Sequence, residues 1–309
     1  MGIKEELAKR VGHPVDEVIS SPRSGAYRAR IDLSVGPDGR LGTWVPRTHD
    51  HIPLEDEPLA RPEIQALLPE LRALNLKGLG RVELRSDGSR VIAHARMPKK
   101  KRPQRDLALR LPVQDIALEG KTLRGEPKLS LEVQGIEHQI SPGSFYQINL
   151  EVNALLVARV TEILARLKPA HLLDLYAGIG NLSLPTVASG VPATLVESMG
   201  SSAKDARATI KRLDLNATLL EQDAGKLKPG QVFADVVLLD PPRAGAPGVI
   251  TTLAITRPRA FVYVSCNAAT LGRDLNQGVK LGYKVTQLIG LEMFPGTEHF
   301  EALAVLERK

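Results

Sequence analysis

The feature that most constrains the fold is an alternation of strand and helix patterns from about residue 170 to the C-terminus. A helix over 150–167 precedes it, and Pro169 ends that helix. Apolar runs at 171–176, 193–197, 217–221, 233–239 and 260–264 read as buried strands. Helical spacing at 181–189, 201–213, 249–255 and 268–281 separates most of them. Such alternation predicts a parallel sheet covered by helices on both faces. The last two runs, 283–291 and 302–307, have no helix between them, so they pair as an antiparallel hairpin.

Ligands of open α/β sheets bind outside the carboxyl ends of the strands, so those ends carry the functional reading. The first strand runs through Asp174 into Tyr176, and Gly178 and Gly180 then open a helix. Glycines there let backbone approach a ligand. Glu197 closes the second strand, at about the 20-residue spacing where an acid accepts hydrogen bonds from a ribose diol. Asp223 follows the third strand, in position to take an adenine amino group. The full GxGxxG is absent because position 183 is Ser, and no P-loop lysine is present. A nucleoside without phosphates fits such a rim better than a dinucleotide. The fourth strand ends in Asp240-Pro241-Pro242-Arg243, where two prolines stiffen the turn and fix the acid's direction. Arg243 stands where amino-methyltransferases carry an aromatic, which disfavours that chemistry.

The fifth strand ends at Cys266, the only cysteine of the chain. Asn267 is placed to cap the helix that follows, and a helix N-terminus lowers a thiol's pKa. Taken alone, a solitary cysteine is more often a small buried apolar residue than a nucleophile. Five β/α units closed by an antiparallel hairpin are, however, the pattern of a Rossmann-like class I methyltransferase sheet: seven strands, the last one antiparallel. In that sheet the last strand inserts beside the fifth, which brings its first residue, Glu301, next to Cys266. A thiol and a carboxylate beside a nucleoside pocket suggest covalent catalysis with a general base. His299, two residues earlier, is the second choice of base, since alternation lets both face inward.

Residues 1–138 read as a smaller α+β domain and 139–309 as the methyltransferase domain. A short helix covers 1–19, broken at His13-Pro14, and a strand over 20–36 puts Arg28 and Arg30 on an outer face. A helix is predicted over 63–74 and two strands, 80–85 and 90–96, around the turn SDGS. The formal net charge is +6, and Lys99, Lys100, Lys101, Arg102 and Arg105 cluster in one segment, which suits a polyanion. Aromatic content of 4% argues against extended base stacking. One cysteine excludes a disulfide framework, a cysteine zinc site and an iron–sulfur cluster. No apolar run is long enough to span a membrane, and the charged N-terminus has no secretory core, so the expected location is cytoplasmic.

The motifs as a set resemble the RNA 5-methyluridine methyltransferases. The pieces are FYQIN at 145–149, DLYAGIGNLSLP at 174–185, DPPRAG at 240–245, SCNAATLGRD at 265–274 and FPGTEHFE at 294–301. Weaker similarity covers 27–31 and 79–85. The resemblance implies S-adenosylmethionine-dependent methylation of C5 of a uridine in transfer or ribosomal RNA. It implies that Cys266 attacks C6 of uracil and that Glu301 removes the C5 proton. It places cofactor contacts on Gln147, Tyr176, Asn181, Glu197 and Asp240, beside Gly178 and Asp223 from the strand-end reading. The target base must leave its stack to meet the thiol. Ala177 and Ala268 depart from the family pattern, as does the absence of iron–sulfur cysteines and of an N-terminal oligonucleotide-binding barrel. RNA grip is then expected from Arg23, Arg28, Arg30 and the 99–105 cluster, in a monomer without a metal. The alternatives are a 5-methylcytosine RNA methyltransferase, whose thiol usually follows a proline where Ser265 stands, and an RNA-binding or RNA-folding protein.

Overall fold

The computed structural model describes residues 3–309, and Met1 and Gly2 lie outside the described residues. The chain forms two compact units, Met1–Pro22 with Glu132–His138 and Glu151–Lys309, and Arg23–Leu131 with Gln139–Leu150. In order the elements are α1 (Ile3–Val11), β1 (Glu17–Ile19), β2 (Arg30–Val35), β3 (Leu41–Trp44), β4 (His51–Pro53), α2 (Pro62–Gln65), α3 (Leu68–Ala73), β5 (Arg81–Ser86) and β6 (Val91–Arg96). Next come α4 (Arg105–Ala108), β7 (Asp115–Leu118), β8 (Lys121–Arg124), β9 (Leu129–Val133), β10 (Ile136–Ile140) and α5 (Leu150–Leu167). The rest are β11 (Leu172–Leu175), α6 (Leu184–Ala188), β12 (Ala193–Glu197), α7 (Gly200–Arg212), β13 (Ala217–Glu221), β14 (Val236–Leu239), α8 (Val249–Ala254), β15 (Ala260–Ser265), α9 (Ala268–Lys280), β16 (Tyr283–Leu291) and β17 (Glu301–Arg308).

The larger unit holds a sheet of order β1-β16-β17-β15-β14-β11-β12-β13. Strands β11 to β15 run parallel, and β17 runs antiparallel between β15 and β16. This is the class I methyltransferase sheet the alternation predicts. Its central strands are almost wholly apolar because both faces are covered, with Asp174 the exception in β11. Leu172, Leu238 and Val262 pack under Val152, Leu156 and Val160 of α5. Their neighbours Leu173, Val237 and Phe261 pack under Val249 of α8 and Leu271 and Leu275 of α9. Each such side chain contributes roughly 1.5–3 kcal/mol of burial.

An eighth strand was not legible in the sequence. β1 pairs parallel with β16, from Glu17 opposite Ile289 to Ile19 opposite Leu291. The residues up to Pro22 therefore lie with the large sheet, whereas the sequence pattern assigns them to the N-terminal domain. α1 buries Leu7 and Val11 in that unit and closely approaches α9. A Cβ on Gly272 would come 2.5 Å from the Val11 carbonyl oxygen, so glycine lets the two helices meet.

The smaller unit is a seven-stranded sheet of order β4-β3-β2-β5-β6-β7-β8, antiparallel except between β6 and β7. The helix expected over 63–74 is two short helices, α2 and α3, because Pro69 lacks the N–H that one continuous helix needs. Ile64, Leu68 and Leu71 pack on Leu33, Val82 and Leu84 of the sheet. No helix among the described residues is long and apolar enough to cross a membrane.

Candidate active site

The loop after β11 is shaped by backbone that only certain residues adopt. Tyr176 has φ +58°, a left-handed conformation that costs a non-glycine residue about 1–2 kcal/mol. Gly180 has φ +83°, and a Cβ there would lie 2.6 Å from Leu184 Cγ. Gly178 borders open space instead. Glu197, at the end of β12, braces this loop: Oε2 accepts from Gly178 N at 2.8 Å and Oε1 from Met199 N at 2.5 Å. Asn181 and Asn153 exchange side-chain amide bonds at 2.8 and 3.2 Å. Asn153 was missed by sequence reasoning; its signal is an amide on the apolar stripe of α5, between Val152 and Leu156.

The acids at the strand ends differ in setting. Asp174 is 1% exposed and accepts from Ser183 Oγ at 2.5 Å, and burial pushes its carboxyl up to about 8. Asp223 is exposed and accepts from Gly225 N at 2.9 Å, capping the short turn after β13. Asp240 follows β14, and desolvation pushes its carboxyl up to about 7.

The β15–β17 register pairs Ser265 with Ala302, so Cys266 and Glu301 are the next two residues on facing strands. The topology argument from sequence thus brings the intended pair together. Glu301 is 2% exposed, and burial, with the charge of Asp240, holds its carboxyl well above the ordinary range. Asn267 caps α9 as expected, accepting from Ala269 N at 3.1 Å and Thr270 N at 3.5 Å. The thiol does not follow the sequence expectation. Cys266 is half-buried, and its pKa is raised, by burial first and then by the charges of Glu301 and Asp240. Arg243 and a backbone hydrogen bond pull the other way. A helix end carries only about half a charge, which desolvation and two carboxylates outweigh. His299 is exposed in the turn before β17, so strand alternation does not carry it inward with Glu301.

The smaller unit holds Gln147 and the expected RNA contacts. Gln147 is nearly buried and lines a small cavity with Arg30, Arg85 and Tyr146. Buried Arg85 pairs with Glu83 at 2.7 Å and donates from Nη1 to the Ser144 carbonyl at 2.6 Å, which fixes the start of the Phe145–Gln147 segment. Arg30 lies 5.7 Å from the centre of the Phe145 ring and is half-buried, not on a free outer face as alternation suggested. Burial and Arg85 lower its pKa. Arg23 and all of Lys99, Lys100, Lys101, Arg102 and Arg105 are exposed, and Arg28 is half-buried. The strand register separates the two basic groups. Arg30 sits opposite Arg85 at one end of the sheet, while the 99–105 segment leaves β6 after Arg96, at the other end.

The strand order, with an antiparallel last strand beside the fifth, defines a Rossmann-like class I methyltransferase. The tRNA (uracil-54, C5)-methyltransferase of Pyrococcus abyssi, solved with S-adenosyl-L-homocysteine, shares this fold with a TM-score of 0.80. It is 23% identical, over 98% of this chain and 81% of that one. A family model described as tRNA (Uracil-5-)-methyltransferase matches residues 226–309. The 23S rRNA (uracil(1939)-C(5))-methyltransferase of Salmonella typhi is 35% identical over 324 residues, spanning 98% of this chain and 75% of the relative. The corresponding enzyme of Cronobacter sakazakii is 34% identical, over 98% and 76%. The chain belongs to the RNA uracil-C5 methyltransferase family.

Proposed function

We propose that this enzyme methylates C5 of a uridine in structured RNA, with S-adenosylmethionine as methyl donor, Cys266 as nucleophile and Glu301 as general base. One observation carries the reading: the register of β15 and β17, which makes Cys266 and Glu301 neighbours at the carboxyl edge of the sheet. C5 of uracil is a poor nucleophile until C6 is saturated, so the thiol acts first. The Cys266 thiolate bonds through Sγ to C6, and the C5–C6 π electrons move towards C5 and the C4 carbonyl. When bound, S-adenosylmethionine supplies an electrophilic methyl group for C5. Glu301 then takes the C5 proton, the double bond re-forms, and Sγ leaves as thiolate. A carboxylate held above its ordinary range is the stronger base for that step. The uracil reaches the thiol only outside its stack.

The residues along the rim suit such a donor. They are carboxylates and amides rather than phosphate-binding cations, and the loop at Gly178 borders open space. Glu197 would hold the ribose and Asp223 the adenine, with Tyr176, Gly178, Asn181 and Asp240 completing the set. The relatives at 35% identity are named for 23S rRNA, which favours ribosomal RNA as the substrate.

RNA carrying 5-fluorouridine should trap a covalent complex in the presence of the donor, because fluorine does not leave C5 as a proton does. The complex should be absent with Cys266→Ala. Glu301→Gln should accumulate methylated adduct on ordinary RNA and lose roughly 10²–10⁴-fold in turnover. No adduct with the native enzyme, or one that survives Cys266→Ala, refutes the mechanism. Full turnover by Glu301→Gln assigns the base to another group. Methylation of ribosomal against transfer RNA decides the substrate.

A further inference from the structure

Side chains of Asn267, Thr270, Arg273 and Asp274 take no part in the chemistry above, yet they form one connected structure. The Arg243 carbonyl accepts from Asn267 Nδ2 at 3.0 Å and Thr270 Oγ1 at 3.3 Å. The Ala244 carbonyl accepts from Arg273 Nη2 at 3.0 Å. Ala246 N donates to Asp274 Oδ2 at 2.9 Å and to Tyr263 Oη at 3.1 Å. Tyr263 Oη donates to Asp274 Oδ2 at 2.7 Å, and Arg273 Nε to Asp274 Oδ1 at 2.8 Å. The turn after Asp240 is therefore clasped by the first two turns of α9. There is no slack in the clasp. Gly245 has φ +76°, and a Cβ there would lie 2.6 Å from both Arg273 Nη2 and Asp274 Oδ2. Asp274 is 4% exposed and Tyr263 is fully buried, so a broken bond leaves a buried polar group without its partner.

Asn267 links the two sides of this structure. Its Oδ1 caps α9, directly after Cys266, and its Nδ2 holds the Arg243 carbonyl. The turn carries a single cation, Arg243. Its charge acts on the thiol in the sense opposite to Glu301, which faces the thiol from β17, and Asp240, which faces it from the end of β14. Arg273, Tyr176 and, through Tyr176, Asp223 are the charged and titratable groups that act on the Tyr263–Asp274 side. We propose that the clasp is a positioning device that holds Arg243 beside Cys266 as the counter-charge of the attacking thiolate. The inference rests on the reading of Cys266 as nucleophile and assigns new roles to Arg243, Thr270 and Asp274. It also explains why the residue after the two prolines is a cation.

Because the chain has one cysteine, alkylation by iodoacetamide as a function of pH reads the ionisation of Cys266 without RNA or donor. Arg243→Gln should move the midpoint of that profile up by about half a pH unit. Arg243→Lys should restore most of it. Thr270→Val and Asp274→Asn keep Arg243 but release its turn, and each should shift the midpoint in the same direction. Neither should add to the shift in the Arg243→Gln background. Thr270 is half-exposed, so its variant remains informative where loss of buried Asp274 impairs folding. A merely structural clasp would lower stability in both variants and leave the midpoint where it was. That result, or full additivity with Arg243→Gln, overturns the proposal. Failure of the nucleophile reading appears separately, as a native enzyme that forms no 5-fluorouridine adduct.

Discussion

Asp174 is a carboxyl group whose ionisation the fold opposes, and the consequence is measurable. It lies at 1% exposure on β11, between β12 and β14, with Ser183 as hydrogen-bond donor. Its ordinary value of 3.8 rises to about 8 on burial. The folded chain then keeps a proton that the unfolded chain loses once the pH passes about 4. Stability from this group is fully present below the unfolded value and is lost as pH rises towards the folded one. The slope is one proton, a little over 1 kcal/mol per pH unit, which accumulates to roughly 4 kcal/mol by pH 7. Asp174→Asn keeps the shape and an acceptor for Ser183 but does not titrate. The variant should match the native chain near pH 4 and exceed it progressively up to pH 8. Urea unfolding followed by far-ultraviolet circular dichroism at several pH values gives the difference directly. Asp240 and Glu301 contribute slopes of the same sign in both proteins, so the difference isolates Asp174. Parallel stability curves, or a native chain that gains on the variant as pH rises, would refute the reasoning.

Two further outcomes are expected in the smaller unit. Replacing Lys99, Lys100, Lys101, Arg102 and Arg105 with Gln should weaken RNA binding, and the slope of log affinity against log salt should flatten by about 0.7–0.9 for each phosphate no longer neutralised. An unchanged slope in filter binding would make the segment a solvated loop. Arg85→Met would remove the nearest of the arginines that hold buried Glu83's pKa down against desolvation, leaving Arg96 at 3.9 Å, at a cost of up to about 3–5 kcal/mol. Adding Glu83→Gln should recover much of that in a thermal melt, and no recovery would mean the loss is one of packing.

How much of this was legible in the sequence depends on what kind of interaction set each feature. The central strands were visible because burial on both faces leaves apolar runs, unbroken in Val236–Leu239 and interrupted only by Asp174 in Leu172–Leu175. The neighbourhood of Cys266 and Glu301 was visible because topology alone fixes it. β1 was not, since three residues carry no period and its pairing depends on β16, at the far end of the chain. The outer face assigned to Arg30 failed because Phe145, remote in sequence, covers it. The thiol's direction of shift failed because desolvation and the charges of Glu301 and Asp240 together outweigh Arg243 and the backbone hydrogen bond. The clasp was invisible because its acceptors and donors in the 243–246 turn are backbone groups, which leave no side-chain signature.

The crowding of acids around the thiol has a consequence for ligand binding. Burial raises Asp240, Asp240 in turn raises Glu301, and both acids raise Cys266. A positive charge placed among them lowers all three by the same Coulomb interaction. On the proposed reading the methyl donor carries one more positive charge, at sulfur, than the S-adenosylhomocysteine that remains after transfer. Donor binding should therefore release protons from the site, and product binding should release fewer. Asp240, at about 7, is close to half-protonated at neutral pH, so it contributes up to about half a proton and Glu301 adds to that. Titration calorimetry in buffers of different ionisation enthalpy counts these protons, since the observed heat varies linearly with the buffer's own. More protons for the donor than for the product is the expected result. Equal counts would mean that the carboxylates do not sense the sulfur charge, and the crowded acids would then have to be explained by folding alone. Unequal counts tie base and nucleophile to one event: the cation that brings the methyl group also frees Glu301 and Cys266 to react.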